Sequence, residues 1–519
     1  MDGFAWYRLR VVVPAEWKNS RSIRDVGCLM LELGAVDDAD ETWFNGVKVG
    51  ATGSMPPDYS TAWNEPRVYR VPASVVAWGK ENVVAVRVYD GKNDGGIYPG
   101  PVLLRAAEER DMLEASSEPA RADGVFPVGE NLKMMVKLKN KAAQDIGGTL
   151  ECVWTTDVAD KPSVLTCKTE TVVVPAGREL SRAFSYRPTG PGFYPVSAVM
   201  KLAGNKEIRT RLVLGFDVER IEGPAAREPD FDAFWEARLK ELAAVKPEYS
   251  VERRPDKSSS KVDTFLIGMK SYGGVRIRGW LTVPKGKGPW PGLVSVAGYG
   301  GTMWPATERE NMVVMALNIR GHGNSIEDVN PGDGEYMYLG LTGNPADYIY
   351  VGAYLDCVRA VDFLSSRPEV DPGRIAIEGG SQGGGLSLAT AALSPKVAAC
   401  VADVPWLCDW PDFATTTTWA LENFPKLLKD RKDLSHAKLL RILSYVDVMN
   451  LAGRIRCPVK VSMGLVDDVC PPRTIMSAYN RIRAPKTVHY YPCGGHEGGD
   501  ATHWVIREKW LAEILRAGK

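Results

Sequence analysis

The chain opens with short runs in which apolar and polar residues alternate, the period-two pattern of strands buried on one face. Residues 7–13, 28–33 and 83–89 carry it, and residues 42–49 carry it around Asn45-Gly46, a two-residue hairpin signal. The pattern continues through residues 132–138, 149–154, 170–174, 194–199 and 210–215, with turn residues between the runs. Two all-β sandwiches are predicted, over residues 1–108 and 109–222. The second, with about seven short strands in about 110 residues, is of immunoglobulin-like type. It carries no cluster of acids, His or Cys suited to chemistry, and reads as a spacer.

After a linker at 222–229 the pattern changes. Residues 231–239, following Asp230, space their apolar positions at helical intervals. Residues 263–268 and 275–284 read as an antiparallel strand pair. Four apolar runs, 292–296, 312–317, 374–377 and 459–463, then alternate with helical segments such as 354–364. That alternation argues for a mostly parallel sheet covered by helices on both faces, spanning residues 223–519.

Composition excludes more than it identifies. The 519 residues are 45% hydrophobic and 25% charged, ordinary for globular domains. Lys+Arg and Asp+Glu both number 64, which gives no basis for nucleic acid or an anionic membrane as partner. No run is apolar for long enough to cross a bilayer. The nine cysteines follow neither a disulfide framework nor CxxC metal spacing. Cys152 and Cys167 either face each other across one hairpin or are two small buried thiols. The first residues carry no signal-peptide pattern, so the expectation is a cytoplasmic protein or a mature or truncated form of an exported one. No cofactor and no metal are expected.

The candidate chemistry centres on Gly379-Gly380-Ser381-Gln382-Gly383, between the apolar run 374–377 and the helical run 386–393. A strand, a sharp turn carrying Ser and a helix make the nucleophile elbow of an α/β-hydrolase. The triad order in that fold is Ser, acid, His. Of the five histidines, His322 precedes Ser381, His436 sits in a polar Lys-rich helix and His489 lies within a strand pattern. His496 falls in a Gly-rich loop after that strand and is the chosen base; His503, in the last helix, is its rival. Asp467 is the first acid after the run 459–463 and is the chosen acid, with neighbouring Asp468 read as a solvated loop residue. The oxyanion hole requires two backbone N–H groups, one from Gln382 and one from the loop 297–301, where Tyr299 is the donor.

These phrases, together with Arg320-Gly321-His322-Gly323-Asn324-Ser325, Asp403-Val404-Pro405-Trp406, Cys470-Pro471-Pro472 and His496-Glu497-Gly498-Gly499, resemble the acetyl xylan esterase / cephalosporin C deacetylase family, carbohydrate esterase family seven. The resemblance covers nearly all of residues 223–519. It implies a serine carboxylesterase acting on acetylated oligo- or polysaccharide, with the triad on Ser381, Asp467 and His496 and the oxyanion donors on Tyr299 and Gln382. It also implies a homo-oligomer, a hexamer with inward-facing sites, against which stand the two extra domains. Two positions depart from the family pattern: His322 stands where Gln is usual and Ala297 where His is usual. The first domain, through residues 37–46, 67–72, 82–90 and 95–97, resembles the sugar-binding jelly roll of family two glycoside hydrolases, and Trp43, Trp63 and Trp78 are candidates to stack on sugar rings. Two other readings stand beside the esterase: a prolyl oligopeptidase-like serine peptidase, against which counts the lack of a 40–50-residue blade repeat, and a non-catalytic carbohydrate-binding protein.

Overall fold

The computed structural model describes residues 3–91, 95–98, 100–224, 227–307, 309–332 and 334–517. Ahead of residue 223 the strands pack as two pairs of sheets. In the first pair, Gly3–Val12, Glu81–Asp90, Ala39–Phe44 and Val47–Thr52 form one antiparallel sheet in that order. In its companion sheet, Cys28–Asp37 pairs with Pro66–Pro72, Gly96–Tyr98 and Leu103–Ala106. Alternation delivers Val84, Val86 and Val88 to a core shared with Leu29, Leu31, Val71 and Phe44. Asn45 and Gly46 have φ of 48° and 80°, the positive pair that a tight two-residue hairpin needs. Of the three candidate tryptophans, Trp78 packs against this core, Trp63 is exposed, and Trp43 pairs with Trp6 at 5.3 Å.

In the second pair, Leu113–Pro119, Leu132–Asn140 and Glu179–Tyr186 face a five-stranded sheet that includes Ile146–Thr155, Val164–Val174, Gly192–Leu202 and Lys206–Phe216. Trp154, Phe184, Val136 and Leu214 lie in the core between them. The register sets Cys152 opposite Lys168 and Cys167 opposite Val153. Cys152 is buried, Cys167 is exposed and both are free, so the two cysteines form neither a facing pair nor two buried thiols.

The third body holds a nine-stranded sheet: β1 (Ser250–Arg253), β2 (Val262–Lys270), β3 (Arg276–Pro284), β4 (Trp290–Val296), β5 (Val313–Asn318), β6 (Val370–Gly380), β7 (Val397–Asp403), β8 (Val459–Gly464) and β9 (Lys486–Tyr491). The order is β1-β2-β3-β5-β4-β6-β7-β8-β9. The first contacts, through β3 to β5, are antiparallel, and everything from β5 to β9 is parallel. Its main helices are α1 (Phe231–Ala244), α2 (Ile349–Ser365), α3 (Gln382–Leu393), α4 (Pro472–Tyr479) and α5 (Asp500–Ala517). Val294 and Ile377 meet α2 and α3 through Leu355, Val361 and Leu386. Their strand neighbours Leu293 and Ala376 point the other way, onto Leu511 and Leu515 of α5. Period-two strands thus feed two helical layers. Among the described residues no helix is long and apolar enough to cross a membrane.

From β4 the chain moves to β5 on one side, then returns through α2 to β6 on the other. The loops after β4 and β6 therefore part, leaving a crevice at the strands' C-terminal ends, where ligands bind in such sheets. The second sandwich is fastened beside that crevice. Asn480 Nδ2 donates to the carbonyls of Val218 and Ile221, at 2.9 Å each. The Ala159 N–H donates to Thr415 O at 3.1 Å, and Arg473 reaches both Asp412 and Asp157, at 2.8 and 3.5 Å.

One buried ion pair secures the segment after β5. Asp356 of α2 accepts from the backbone N–H, Nε and Nη2 of Arg320, at 3.0, 2.9 and 2.8 Å. Neither side chain is well exposed, at 8% for Arg320 and 0% for Asp356. Asp356→Ala strands a buried guanidinium, which costs about 3–5 kcal/mol. Calorimetry should show the hydrolase transition lowered by roughly 5–10 °C, with Asp356→Asn losing less. Equal, small shifts in both variants would contradict this account.

Candidate active site

The elbow depends on close backbone contacts. Ser381 has φ 58° and ψ −121°, a strained conformation for a residue with a side chain. A Cβ on Gly379 would lie 2.6 Å from the Gly383 carbonyl carbon, and one on Gly383 would lie 2.5 Å from Val296 O. Glycine is required there because strand, turn and helix touch backbone to backbone. The strained residue is held on both sides: its N–H donates to Asp403 O at 2.9 Å, and its carbonyl accepts from Trp406 N–H at 2.9 Å.

The loop after β4 lies against the elbow. A Cβ built on Gly298 would stand 3.8 Å from Ser381 Cβ. Gln382 Nε2 donates to Gly298 O at 3.5 Å, while its Oε1 accepts from the buried Tyr350 hydroxyl at 2.6 Å. The Gln382 side chain thus ties α2, α3 and the 297–301 loop together. Gln382 opens α3, so its backbone N–H has no acceptor within the helix. The Tyr299 side chain is fixed away from its own backbone. Its hydroxyl donates to Glu335 Oε2 at 2.8 Å, and its ring meets Trp406 at 5.6 Å. His322, a sequence departure outside the triad, reaches this loop: its Nε2 accepts from Gly300 N–H at 3.3 Å.

Asp467 and His496 come together as expected. Asp467 is buried, and its Oδ1 accepts from the N–H groups of Val469 and Cys470, at 2.8 and 2.9 Å. Its Oδ2 lies 3.0 Å from His496 Nδ1. Asp468 is exposed. The hydrogen bond to Asp467 raises the imidazole above its ordinary range against the opposing effect of burial, and the charges of Asp467, Asp468 and Glu497 add to it. The acid loop and the histidine loop can cross because Gly464 lacks a side chain; a Cβ there would collide with the carbonyls of Gly494 and Gly495. His503 is engaged elsewhere. Its Nδ1 lies 2.7 Å from the Tyr491 hydroxyl and its Nε2 2.9 Å from Asp403 Oδ1. His436 is exposed at a helix start, and His489 lies in β9.

Sequence reasoning gave Cys470 no role of its own. Its buried thiol meets the Ser381 hydroxyl, and burial pushes it well above the ordinary thiol range. Among the described residues no hydrogen bond joins Ser381 Oγ to His496. The thiol stands with a carboxylate oxygen of Asp467 and a ring nitrogen of His496, all within 4.8 Å of one another. That spacing suits a metal, but the Asp467 oxygens are already occupied by two N–H groups and the imidazole. The set is therefore built as a hydrogen-bonded pair with a neutral thiol beside it. The Cys470-Pro471-Pro472 run begins three residues after the acid and is the sequence feature that marks this contact.

A strained serine between strand and helix at the switch point, followed along the chain by a bonded Asp–His pair, defines a serine hydrolase of the α/β class. Residues 216–514 match the family described as acetyl xylan esterase (AXE1), more than half of the chain, and the chain belongs to that family. It is 31% identical over 339 residues to acetyl esterase Axe7A of Xylanibacter ruminicola, covering 63% of this chain and 75% of that protein. Among solved structures it is similar to the acetyl xylan esterase of Paenibacillus sp. R4, with 31% identity, a TM-score of 0.53 and coverage of 58% of this chain and 98% of that one. Acetyl xylan esterase 1 from Thermoanaerobacterium sp. gives 28% identity, a TM-score of 0.52 and coverage of 57% and 97%.

The Asp467–His496 bond makes a direct prediction. By NMR, the His496 ring should titrate above its ordinary 6.5. Asp467→Asn should bring the midpoint down, and so should Gly464→Ala, which forces the two loops apart. An unchanged midpoint in Asp467→Asn would exclude Asp467 as the cause.

Proposed function

We propose that the protein is a serine carboxylesterase that removes O-acetyl groups from acetylated carbohydrate. The observation that carries this reading is the 3.0 Å Asp467–His496 contact on the same sheet edge as the strained Ser381. The family and the names of the related enzymes support an acetylated glycan as substrate. Ser381 is the nucleophile, His496 the base, Asp467 the group that holds the imidazole, and the backbone N–H groups of Tyr299 and Gln382 the oxyanion donors.

His496 Nε2 is the ring nitrogen free to take the Ser381 proton, because Nδ1 is bonded to Asp467. Ser381 Oγ bonds to the acetyl carbonyl carbon as its proton passes to Nε2, and the carbonyl electron pair moves to oxygen, between the two N–H donors. Asp467 accepts the Nδ1–H and stabilises the imidazolium. The tetrahedral species collapses, the carbon–oxygen bond to the sugar breaks, and the imidazolium proton goes to the departing sugar oxygen. Water, giving its proton to His496, then attacks the acetyl-serine, and acetic acid leaves as Ser381 regains its proton.

We read residues 1–108 as a jelly roll and 109–222 as an immunoglobulin-like sandwich. Their paired antiparallel sheets around single cores support that reading.

Ser381→Ala should lower kcat on a small acetyl ester by several orders of magnitude, about 10⁶ by the subtilisin precedent. Persistent hydrolysis would overturn the assignment. The base works only when neutral, so kcat/KM should fall as pH drops through the raised His496 value, above 6.5. Asp467→Asn should move that limb to lower pH and cut kcat by about 10⁴, the cost of turning a triad acid into an amide.

A further inference from the structure

The second sandwich presents one face of its five-stranded sheet to the acid loop. Between them lies a cleft of about 500 Å³, within the range of small-ligand sites. One wall is a run of strand residues in register that carries two guanidinium groups. Arg209 and Arg211 lie two residues apart on Lys206–Phe216, so both point to the same face. Ser197 pairs with Arg211 on the next strand, and Val153 pairs with Ser197 on the one beyond. The opposite wall includes Asp467, Asp468 and Pro472. Asp467 also bonds His496, and the Asp468 charge acts on that ring, so cleft and imidazole share one loop.

Three arginines, Arg209, Arg211 and Arg473, and three aspartates, Asp157, Asp467 and Asp468, line the cleft, and they differ in how each is engaged. Asp157 is engaged by Arg473. Arg209 meets only its exposed strand neighbour Glu207, at 3.0 Å, a contact of little strength in water. Among the described residues Arg211 has no carboxylate within ion-pair distance. Exposed guanidinium groups beside sugar-compatible hydroxyls are suited to a carboxylate on a carbohydrate, which arginine binds in a two-pronged manner.

We infer that this cleft is a glycan subsite selecting acidic substrate: Arg209 and Arg211 bind the uronate groups of an acetylated polysaccharide while a neighbouring acetyl group reaches Ser381. The inference rests on the esterase reading above. It gives the second sandwich a role beyond that of a spacer.

The test compares acetylated glucuronoxylan with acetylated neutral xylan, using the full chain at low ionic strength. The wild type should favour the acidic polymer about tenfold in kcat/KM. In Arg209→Gln/Arg211→Gln the ratio should fall to about one, and added salt should erode it in the wild type. Calorimetry with unacetylated acidic and neutral xylo-oligosaccharides reads the cleft independently of catalysis, and the same loss of preference is expected. A wild-type ratio near one, a ratio that survives in the double variant, or equal binding of both oligosaccharides overturns the inference. If neither polymer releases acetate while the binding preference holds and depends on the two arginines, the cleft stands and the esterase reading fails.

Discussion

The catalytic part of this molecule depends on a serine held in a conformation that a side chain disfavours. A positive φ at Ser381 costs about 1–3 kcal/mol, and it persists only where the surroundings over-determine it. Here they do. Hydrogen bonds to Asp403 and Trp406 fix both ends of the residue, and glycines at 379 and 383 let β6, α3 and the end of β4 meet without intervening side chains. The same close approach brings Gly298 beside Ser381, so strain at one residue and the position of the 297–301 loop are consequences of one packing arrangement.

Beneath the elbow lies a charged network that engages the second candidate histidine, His503. Glu378, three residues before the serine, pairs with Arg309 at 2.9 Å and with Arg507 at 3.4 Å. Arg507 also binds Asp403 at 2.7 Å, and His503 meets the same carboxylate. Burial pulls Asp403 upward, yet the bond from His503 and the charge of Arg507 outweigh it and hold the carboxyl below its ordinary range. His503 therefore has an acid and a fixed ring, the attributes of a triad base, but they serve to dock α5 against the ends of β6 and β7.

The parts of the site that obey local rules were legible in the chain. An elbow requires glycine at set spacings, and the acid and base must follow strands in order; Ser381, Asp467 and His496 could be chosen on those grounds. Contacts that depend on how loops cross were not legible. Nothing local says that Gly464 must be bare so that residues 494–495 can pass over it, or that Cys470 meets the serine. The strand pattern placed Cys152 and Cys167 on one hairpin, but a one-residue offset in register sent them to opposite faces. Alternation likewise predicted the second sandwich without showing that its outer face would wall the acid loop.

At position 322 the imidazole serves as an acceptor for the 297–301 loop. The family usually carries Gln there, whose amide oxygen is an acceptor. His322 is buried, and burial lowers its imidazole below the ordinary range, so the neutral ring is the form present at neutral pH. A neutral ring has one acceptor nitrogen. Gly300 N–H donates to Nε2, so the proton sits on Nδ1, facing Arg320 O at 3.5 Å. Arg320 is itself locked to Asp356. A chain of contacts therefore runs from a buried ion pair in α2, through a neutral imidazole, to the loop that carries the Tyr299 N–H. Charging His322 would remove the acceptor that Gly300 uses, so burial of this ring keeps the 297–301 loop in place.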